Sequence, residues 1–482
     1  MDSNRIGDTA VPPTGVFIAG NWQYGKQTFE VLDKYSSICV ARVTESSEAQ
    51  IAEAATAARG AADMGPTPPY DRSEMLRRAA ALVSARKSEF VDLMVAEAGF
   101  ILTDASTEVD RAIVTLKLSA DEALRITGEM VPFAGSPGAH RRIGFTQRFP
   151  VGVVCAITPF NSPLNTVLHK IAPAYAAGNA VILKPSAFTP LTSALLTQVL
   201  QDAGMPAGFM NLVQGGGDSV GNELLKRPEV DFYTFTGSTR VGRIIQQAAG
   251  LRRTQMELGS IASTIVCADA NLDRAISKIA AAALRKAGQV CTSVQRLYVA
   301  RGLYEETCDR LVRAAAELPA GNPRDQAVRV GPMISLAAAE RAERWIGDAA
   351  ASGSRILCGG QRSGSVVNPT VLVDTADRAD LWCSEAFAPV LSIRPFDDLE
   401  STIRSANATP YGLAAGIFTQ DIDLAMRAGS SLRFGTVHIN ETSSARADVM
   451  PFGGVKDSGF GREGPAYAIR EMTEERLLVI HP

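Results

Sequence analysis

The chain has 482 residues, of which 46% are hydrophobic and 21% are charged, and its formal net charge is −3. This length exceeds what one hydrophobic core organises, so we expect two or three domains of ~100–200 residues each. The near-neutral charge balance argues against a nucleic-acid footprint and a basic membrane patch, and no apolar run approaches the ~20 residues that span a bilayer.

The N-terminal residues 1–8 are polar and lack the apolar segment that a secretory signal peptide carries. Seven cysteines, an odd number, are spread along the chain without a CxxC motif. Free thiols in a reducing cytoplasm explain this usage better than a disulfide framework or a zinc site. Because the chain has only four histidines, we also expect no His-based metal centre. The sequence therefore predicts a cytoplasmic protein.

The first third of the chain predicts one strand, three helices and a hairpin. Ser47 and Gln50 form a capping-box pair at the start of the first helix. The hairpin segment is rich in Gly, Pro and Arg, and we expect it to leave the first domain. The predicted elements are a strand at 16–22, helices at 47–62, 71–99 and 107–124, and the hairpin at 128–150.

Residues 151–258 alternate between short apolar strands and helical segments. That alternation predicts a mostly parallel sheet covered on both faces, which binds ligands at the carboxyl ends of its strands. A second α/β region spans 259–451, and its Ala-rich helix at 271–286 leads the chain to Cys291. The apolar strand at 475–480 has no neighbour in sequence, so we expect it to pair with a distant strand or with another subunit.

Polar or glycine residues follow successive strands of the first α/β region. Lys184 can reach a ribose hydroxyl or a phosphate, although taken alone a solvated surface lysine is the simpler interpretation. Gly217 belongs to a glycine triplet that misses the GxGxxG spacing by one residue. Gly237 allows a ligand to approach the backbone closely, and Ser238 can bond a phosphate at a helix N-terminus. Together, these strand ends predict a phosphate-binding sheet edge.

Three further side chains offer catalytic chemistry. Cys291 lies between small and polar residues at a turn, which suits a thiol open to a ligand better than a core cysteine. Glu257 is poorly placed for solvent, so a raised pKa would suit a general base near neutral pH; a salt-bridged strand end is the alternative. Asn161 offers either an oxyanion donor or ordinary turn chemistry.

These residues form a coherent set for covalent chemistry at a carbonyl group. The thiolate attacks a carbonyl, the amide holds the oxyanion, hydride leaves to a nicotinamide, and the carboxylate activates water against the thioester. The chain resembles the NAD(P)-dependent aldehyde dehydrogenase superfamily over nearly its whole length, and lactaldehyde- and phosphonoacetaldehyde-type members in particular. Glu257 and Cys291 are 34 residues apart (291 − 257), as in the family. The motifs follow the family order at 159–161, 184–186, 235–239, 257–259, 288–291, 385–387 and 451–454.

The resemblance implies a role for each matching residue. Cys291 is the expected nucleophile, Glu257 the base, and Asn161 an oxyanion donor together with the Cys291 backbone N–H. For the coenzyme, Lys184 is expected at the adenosine ribose, Ser238 at the pyrophosphate, Glu385 at the nicotinamide ribose and Phe387 near the nicotinamide. The remaining expected coenzyme contacts are Thr158, Pro159, Phe160, Ser186, Ala187, Gly217, Gly237, Leu258 and Gly259.

The resemblance also implies the aldehyde dehydrogenase fold, an α/β fold in three parts. A Rossmann-like coenzyme domain is expected from 1–127 and 150–259, and an α/β catalytic domain from 260–455. A β oligomerisation arm is expected from 128–149 and 456–482. Members are homodimers or homotetramers in which the C-terminal strand joins the sheet of the partner subunit.

Departures from the family pattern bear on specificity. Phe160 stands where a Trp is usual, and Ala187 stands where many NAD-preferring members carry Glu. A carboxylate there repels a 2′-phosphate, so Ala187 predicts that NADP is accepted as well as NAD, with Lys184 and Ser186 as phosphate partners. The alternative is that Ala187 is neutral and NAD still dominates.

The sequence indicates the aldehyde substrate less clearly than the coenzyme. Arg111 falls where the family lines its substrate tunnel and would favour an anionic group, although a surface position on the helix is the alternative. Ser162 suggests a roomier pocket, and Val290 and Thr292 flank the nucleophile. We expect a small hydroxylated or anionic aldehyde, or an aromatic one.

Three other functions remain open. A CoA-acylating enzyme would need no base for hydrolysis, so Glu257 argues against it. A cysteine hydrolase would want a histidine near Cys291, and His169 and His438 have no motif support. A catalytically silent member of the same fold would not be expected to keep every catalytic residue.

Overall fold

The computed structural model describes residues 5–481. Residues 1–4, part of the polar N-terminus in which we expect no signal peptide, and residue 482 lie outside the described residues. No helix in the described part is long and apolar enough to cross a membrane.

The strands are β1 (Arg5–Ile6), β2 (Thr9–Ala10), β3 (Val16–Ile18), β4 (Asn21–Gln23), β5 (Thr28–Leu32), β6 (Cys39–Thr44), β7 (Met130–Val131), β8 (Ile143–Pro150), β9 (Val153–Ile157), β10 (Ala180–Lys184), β11 (Met210–Leu212), β12 (Phe232–Thr236), β13 (Arg253–Glu257), β14 (Ala262–Val266), β15 (Val294–Ala300), β16 (Arg355–Cys358), β17 (Arg362–Ser363), β18 (Val366–Val367), β19 (Thr370–Val373), β20 (Val390–Phe396), β21 (Ala414–Phe418), β22 (Thr436–Ile439), β23 (Gly459–Phe460) and β24 (Thr473–Ile480). The α-helices are α1 (Glu48–Asp63), α2 (Pro69–Ala85), α3 (Lys87–Glu97), α4 (Leu102–Ala123), α5 (Asn165–Ala176), α6 (Pro190–Asp202), α7 (Asn222–Leu225), α8 (Thr239–Ala249), α9 (Leu272–Leu284), α10 (Tyr304–Ala316), α11 (Leu336–Ala351), α12 (Asp380–Cys383), α13 (Leu399–Asn407), α14 (Ile422–Ser431) and α15 (Pro465–Glu471).

The first sheet has eight strands in the order β23-β13-β12-β9-β10-β11-β3-β4. Its central strands, from β13 to β11, are parallel. Every residue of β9 and β10 is buried, as expected for a parallel sheet with helices on both faces. The chain runs from β9 outward through β10 to β11 and then crosses to the other side of β9 to form β12 and β13. Such a reversal of strand order opens a ligand crevice at the carboxyl ends of the strands.

The second sheet has seven strands in the order β16-β19-β20-β15-β14-β21-β22. All neighbours except the edge pair β16 and β19 are parallel. β13 ends at Glu257 and β14 begins at Ala262, so only residues 258–261 carry the chain from the first sheet to the second. The crevice of the first sheet therefore lies beside the loop that leads from α9 into β15, which contains Cys291.

A third, smaller sheet has the order β24-β8-β7. β24 pairs antiparallel with β8 from Thr473 opposite Pro150 to Ile480 opposite Ile143. The prediction that the C-terminal strand pairs with a distant strand is confirmed. The part of the C-terminal segment before β24 does not belong to this third sheet. Its strand β23 pairs with β13 at the edge of the first sheet.

Most predicted elements form, and the differences have local causes. The Ser47 capping box is present in α1, with Ser47 Oγ accepting from Gln50 N. The helix predicted at 71–99 divides into α2 and α3 at Arg86, whose backbone leaves the helical region and whose guanidinium binds Glu89 in the first turn of α3. The single strand predicted at 16–22 is a β3–β4 hairpin, because Ala19 and Gly20 both have positive φ, at 49° and 87°.

Candidate active site

The largest cavity near the crevice has a volume of about 680 Å³. It is lined by residues after β9, β10 and β12, by the end of β13, and by the loop before β15. Of the predicted coenzyme residues, the cavity wall contains Thr158, Pro159, Phe160, Lys184, Ser186, Ala187, Gly217, Gly237, Ser238, Leu258, Glu385 and Phe387. Gly259 lies just behind the wall, where an added Cβ would come 3.2 Å from Glu385 Oε2.

Lys184 is the last residue of β10, and it is buried. Its Nζ donates a hydrogen bond to Pro185 O at 3.2 Å, and no carboxylate of the described residues pairs with it. Burial lowers the pKa of this ammonium to about 8. A buried cation without an anionic partner is costly, so the position fits a ligand that brings hydroxyl or phosphate oxygens.

Ser238 and Gly237 form the turn between β12 and α8. Ser238 Oγ caps α8 by accepting from Val241 N at 3.4 Å, and its O–H stays available as a donor at the helix N-terminus. A Cβ added to Gly237 would come 2.5 Å from Phe235 Cζ, so a larger residue there would require the Phe235 ring to move. Gly217 meets no such restriction, because an added Cβ would contact nothing within 4 Å. The donors and the open backbone at this turn fit a pyrophosphate.

Aromatic rings line the same cavity. Phe160 makes an edge contact with Phe387, with ring centroids 5.8 Å apart, and a second edge contact with Phe188 at 5.9 Å. The backbone of Phe387 has a positive φ of 50°, which turns the chain directly after Glu385. Glu385 is held by Ser260, whose backbone N–H donates to Oε1 at 3.0 Å, and burial raises the pKa of Glu385 to about 7.

Cys291 and Glu257 meet at the junction of the two sheets. The Cys291 thiol and the Glu257 carboxylate lie close enough to shift each other's pKa, and both side chains line the same cavities. Burial, with the nearby charge of Glu463, raises the pKa of Glu257 to about 7, which matches the environment predicted from its apolar neighbours. Burial and the Glu257 carboxylate also raise the pKa of the Cys291 thiol well above its ordinary value. The free site is therefore a protonated thiol beside a base that can accept its proton.

The loop that presents Cys291 begins where α9 ends, two residues earlier than predicted. Lys286, Ala287 and Gly288 follow one another with positive φ values of 50°, 53° and 67°. At Gly288 an added Cβ would lie 1.9 Å from Ala388 O, so this turn packs directly on another backbone. The strained turn redirects the chain from α9 into the crevice and brings Cys291 to Glu257.

Asn161 lies in the loop between β9 and α5. Its Nδ2 donates to Gln289 O at 2.9 Å, two residues before Cys291. Asn161, the predicted oxyanion donor, is therefore in contact with the loop that carries Cys291, and Asn161 and Cys291 both line the cavity of about 680 Å³. The three predicted catalytic residues come together from three separate segments of the chain.

A second cavity, of about 60 Å³, lies on the other side of Cys291. All four predicted substrate residues line it, namely Arg111, Ser162, Val290 and Thr292. The volume of this cavity is smaller than the roomier pocket predicted from Ser162. Ser162 Oγ donates to the buried Glu108 at 2.6 Å, and the Thr292 and Ser444 hydroxyls lie 3.2 Å apart.

The charges around this second cavity are mostly paired. Arg111 donates to Asp448 through Nη2 at 2.7 Å and through Nε at 3.2 Å, so its charge is largely matched within the protein. Arg446 pairs with Glu463 at 2.8 Å, and Lys286 pairs with Glu108 at 2.8 Å.

Arg285 differs from these cations, and the sequence interpretation missed it. Its Nη2 donates to Ser444 Oγ at 2.8 Å, and no carboxylate within residues 5–481 lies at ion-pair distance. Burial lowers the pKa of Arg285, with Asp104 offsetting part of this effect, yet a guanidinium stays protonated in proteins. The one available signal was the Arg285–Lys286 pair at the end of an Ala-rich helix, six residues before the nucleophile (291 − 285).

Comparisons with known proteins agree with this geometry. The model of the aldehyde dehydrogenase family matches residues 22–478. A 3-sulfolactaldehyde dehydrogenase from Priestia aryabhattai is 41% identical over 98% of this chain and 99% of its own length. Aldehyde dehydrogenase 21 from Physcomitrella patens, solved with the reaction product succinate, superposes with a TM-score of 0.94 at 34% identity, covering 97% of this chain and 98% of that one.

A third relative bears on the coenzyme. An NADP-dependent glyceraldehyde-3-phosphate dehydrogenase from Bacillus halodurans C-125, solved with NADP, has a TM-score of 0.94 and 32% identity over 97% of this chain and 99% of that one. The resemblance noted from the motifs is confirmed, as is the fold that it implied. The chain belongs to the aldehyde dehydrogenase family and is an NAD(P)-dependent aldehyde dehydrogenase.

Proposed function

We propose that this enzyme oxidises a small aldehyde that carries an anionic group, and that Arg285 binds that group. The observation that carries the proposal is a partly buried arginine, Arg285, that lines the cavity beside Cys291 and has no ion-pair partner among the described residues. Ser444, to which Arg285 Nη2 donates, is a neutral residue and leaves the charge of the guanidinium unmatched. The cavity of about 60 Å³ suits a short chain better than an aromatic ring.

The relatives support the same substrate class. 3-Sulfolactaldehyde is a short hydroxylated aldehyde with a sulfonate, and the product found in the Physcomitrella enzyme, succinate, bears a second carboxylate. A short anionic aldehyde would place its carbonyl at Cys291 and its charge at Arg285. The direct test is the ratio of kcat/KM values for a four-carbon aldehyde with a terminal carboxylate and for butanal.

In the proposed mechanism, Glu257 first takes the proton from the Cys291 thiol and the thiolate attacks the aldehyde carbonyl. The Asn161 amide and the Cys291 backbone N–H stabilise the oxyanion. The nicotinamide, when bound, supplies the hydride acceptor. After Glu257 has released the thiol proton to solvent, its carboxylate accepts a proton from a water that hydrolyses the thioester; its Oε1 has no hydrogen-bond partner in the described structure. A base at this point favours hydrolysis over transfer to CoA.

The pKa of Glu257 predicts the pH dependence of turnover. Burial raises this pKa to about 7, and only the ionised carboxylate can accept a proton. We therefore expect kcat to rise as the pH increases through about 7 and then to level off. Initial rates at saturating aldehyde and NADP, from pH ~5.5 to ~9, measure this profile. An inflection near 4.5, the ordinary value for glutamate, would contradict the assignment.

The coenzyme proposal is that NADP is accepted at least as well as NAD. Ala187 lines the cavity beside Ser186 and Lys184, and none of these side chains would repel a 2′-phosphate. Replacing Ala187 by Glu should lower kcat/KM for NADP about tenfold or more, because like charges brought together cost several kcal/mol, while NAD is affected little. Steady-state kinetics with both coenzymes test this, and a wild-type ratio strongly favouring NAD would contradict it.

We further propose the three-part division into domains, with β23 as an exception because it joins the first sheet, and we propose that the enzyme is a homo-oligomer. Two separate sheets support the coenzyme and catalytic domains. The β24-β8-β7 sheet supports the arm, because it leaves apolar side chains exposed at Met130, Ile143, Leu477, Leu478 and Ile480, as an interface with a second subunit would explain. A cytoplasmic location stays a prediction from the cysteine usage.

A further inference from the structure

Lys286 occupies an unusual position for a charged side chain. It lies in the left-handed turn before Cys291, and its side chain is only 8% exposed. Its Nζ pairs with Glu108 at 2.8 Å and lies 4.1 Å from the centroid of the Phe100 ring. The proposed mechanism gives this residue no chemical step, so its burial needs another explanation.

The same ammonium reaches the oxyanion loop. Lys286 Nζ donates to the backbone carbonyl of Asn161 at 3.0 Å, while the Asn161 side chain donates to Gln289 O at 2.9 Å. Asn161 is therefore held at both ends by the loop that carries Cys291. Without these two bonds, the distance between the amide and the nucleophile would depend on loop packing alone.

Glu108 extends this connection to the helix that follows Asn161. Its Oε1 accepts from Ser162 Oγ at 2.6 Å and from Asn165 N at 2.9 Å, which caps the start of α5. Burial would raise the pKa of Glu108, but Lys286 and these hydrogen bonds bring it below the ordinary value. One buried ion pair thus joins α4, the start of α5 and the nucleophile loop.

We infer that Lys286 is a positioning residue: its ion pair with Glu108 and its bond to the Asn161 carbonyl fix the Asn161 amide relative to Cys291. This inference rests on the oxyanion role proposed for Asn161. Replacing Lys286 by Met should lower kcat about tenfold, because losing one restraint shifts the amide by less than the ~1 Å that costs about a hundredfold.

A mutant cycle separates positioning from general destabilisation. The four proteins are wild type, Lys286→Met, Asn161→Ala and the double variant. If Lys286 acts through Asn161, the lysine substitution should lower kcat far less in the Asn161→Ala background than in wild type. Lys226→Met, which removes an exposed lysine paired with Glu223, is the matched control and should leave kcat unchanged.

Two further measurements guard against a purely structural effect. The rate at which iodoacetamide alkylates Cys291, followed by peptide mass spectrometry, does not use the oxyanion hole and should stay the same in Lys286→Met. The variant Glu108→Gln/Lys286→Met removes both buried charges, and so avoids leaving one of them unpaired. It should fold and should keep the tenfold loss in kcat.

The outcomes are distinguishable. Three outcomes would overturn the inference while leaving the oxyanion role of Asn161 intact. They are multiplicative losses of kcat in the double variant, a wild-type kcat in Lys286→Met, and recovery of kcat when Glu108 is also neutralised. A wild-type kcat in Asn161→Ala would overturn both the inference and the oxyanion role on which it rests. A matching fall in Cys291 alkylation would show that the whole loop is displaced, and that result also overturns the specific role.

Discussion

Replacing Cys291 by alanine is expected to reduce aldehyde-dependent NADPH formation by more than about a thousandfold. Within the described residues, Cys291 is the one cysteine that lines both cavities together with Glu257 and Asn161. Without it no covalent adduct forms, and binding and oxyanion donors alone give little of the rate of a nucleophilic enzyme. Initial rates with saturating aldehyde and NADP measure the loss.

Two controls make this result specific. Cys383→Ala removes an exposed free cysteine and should leave the rate unchanged. NADP should bind Cys291→Ala with an unaltered Kd, since the cavity wall contributed by the strand ends stays intact. Retained turnover in Cys291→Ala would contradict the mechanism, whichever aldehyde is used.

Replacing Arg285 by methionine should lower kcat/KM for an anionic aldehyde by about 10- to 100-fold. A hydrogen bond to a charged group contributes about 1.5–3 kcal/mol, and each ~1.4 kcal/mol is a factor of ten. Methionine keeps much of the aliphatic length but offers no donor. For butanal, which has no charge to bind, the same substitution should change kcat/KM little.

The comparison between the two aldehydes is what identifies the role of Arg285. Arg301→Met is the matched control, because Arg301 is an exposed arginine paired with Asp397 outside both cavities. It should leave both kcat/KM values at the wild-type level. An equal loss for butanal and for the anionic aldehyde in Arg285→Met would mean that Arg285 supports the loop and does not select the substrate.

Two kinds of feature were predicted best from the sequence. Some depend only on residues close together in the chain, and the others have positions that the order of strands in a parallel sheet determines. The capping box at Ser47 depends on two residues three positions apart, and the structure contains it as predicted. Lys184 and Glu257 are the last residues of two strands of one parallel sheet, and Ser238 follows a third strand by two residues. Parallel strands bring their carboxyl ends to one edge, so residues at those ends meet whatever the length of the connections.

Side-chain partners distant in sequence could not be predicted in this way. Arg111 looked like a free cation for a substrate anion, but its partner Asp448 is 337 residues further along the chain. Arg285 was not singled out from the sequence, yet among the cations that line the second cavity it is the one without a carboxylate partner within residues 5–481. No spacing rule shows which of several arginines a fold neutralises, because that depends on tertiary contacts.

Backbone changes without glycine or proline were also hard to foresee. The helix predicted at 71–99 has neither residue before its end, but it breaks at Arg86, where side-chain pairing with Glu89 accompanies the turn. Lys286 and Ala287 adopt left-handed backbone that their side chains disfavour. This turn was predicted as helix up to Lys286, and it is what brings Cys291 to Glu257.

The most direct test of the proposed substrate class is the ratio of kcat/KM values of the wild-type enzyme for two four-carbon aldehydes, one with a terminal carboxylate and one without. If Arg285 binds the anionic end, the carboxylate-bearing aldehyde should be preferred by about tenfold or more with NADP as coenzyme. Equal values, or a preference for butanal, would contradict the account.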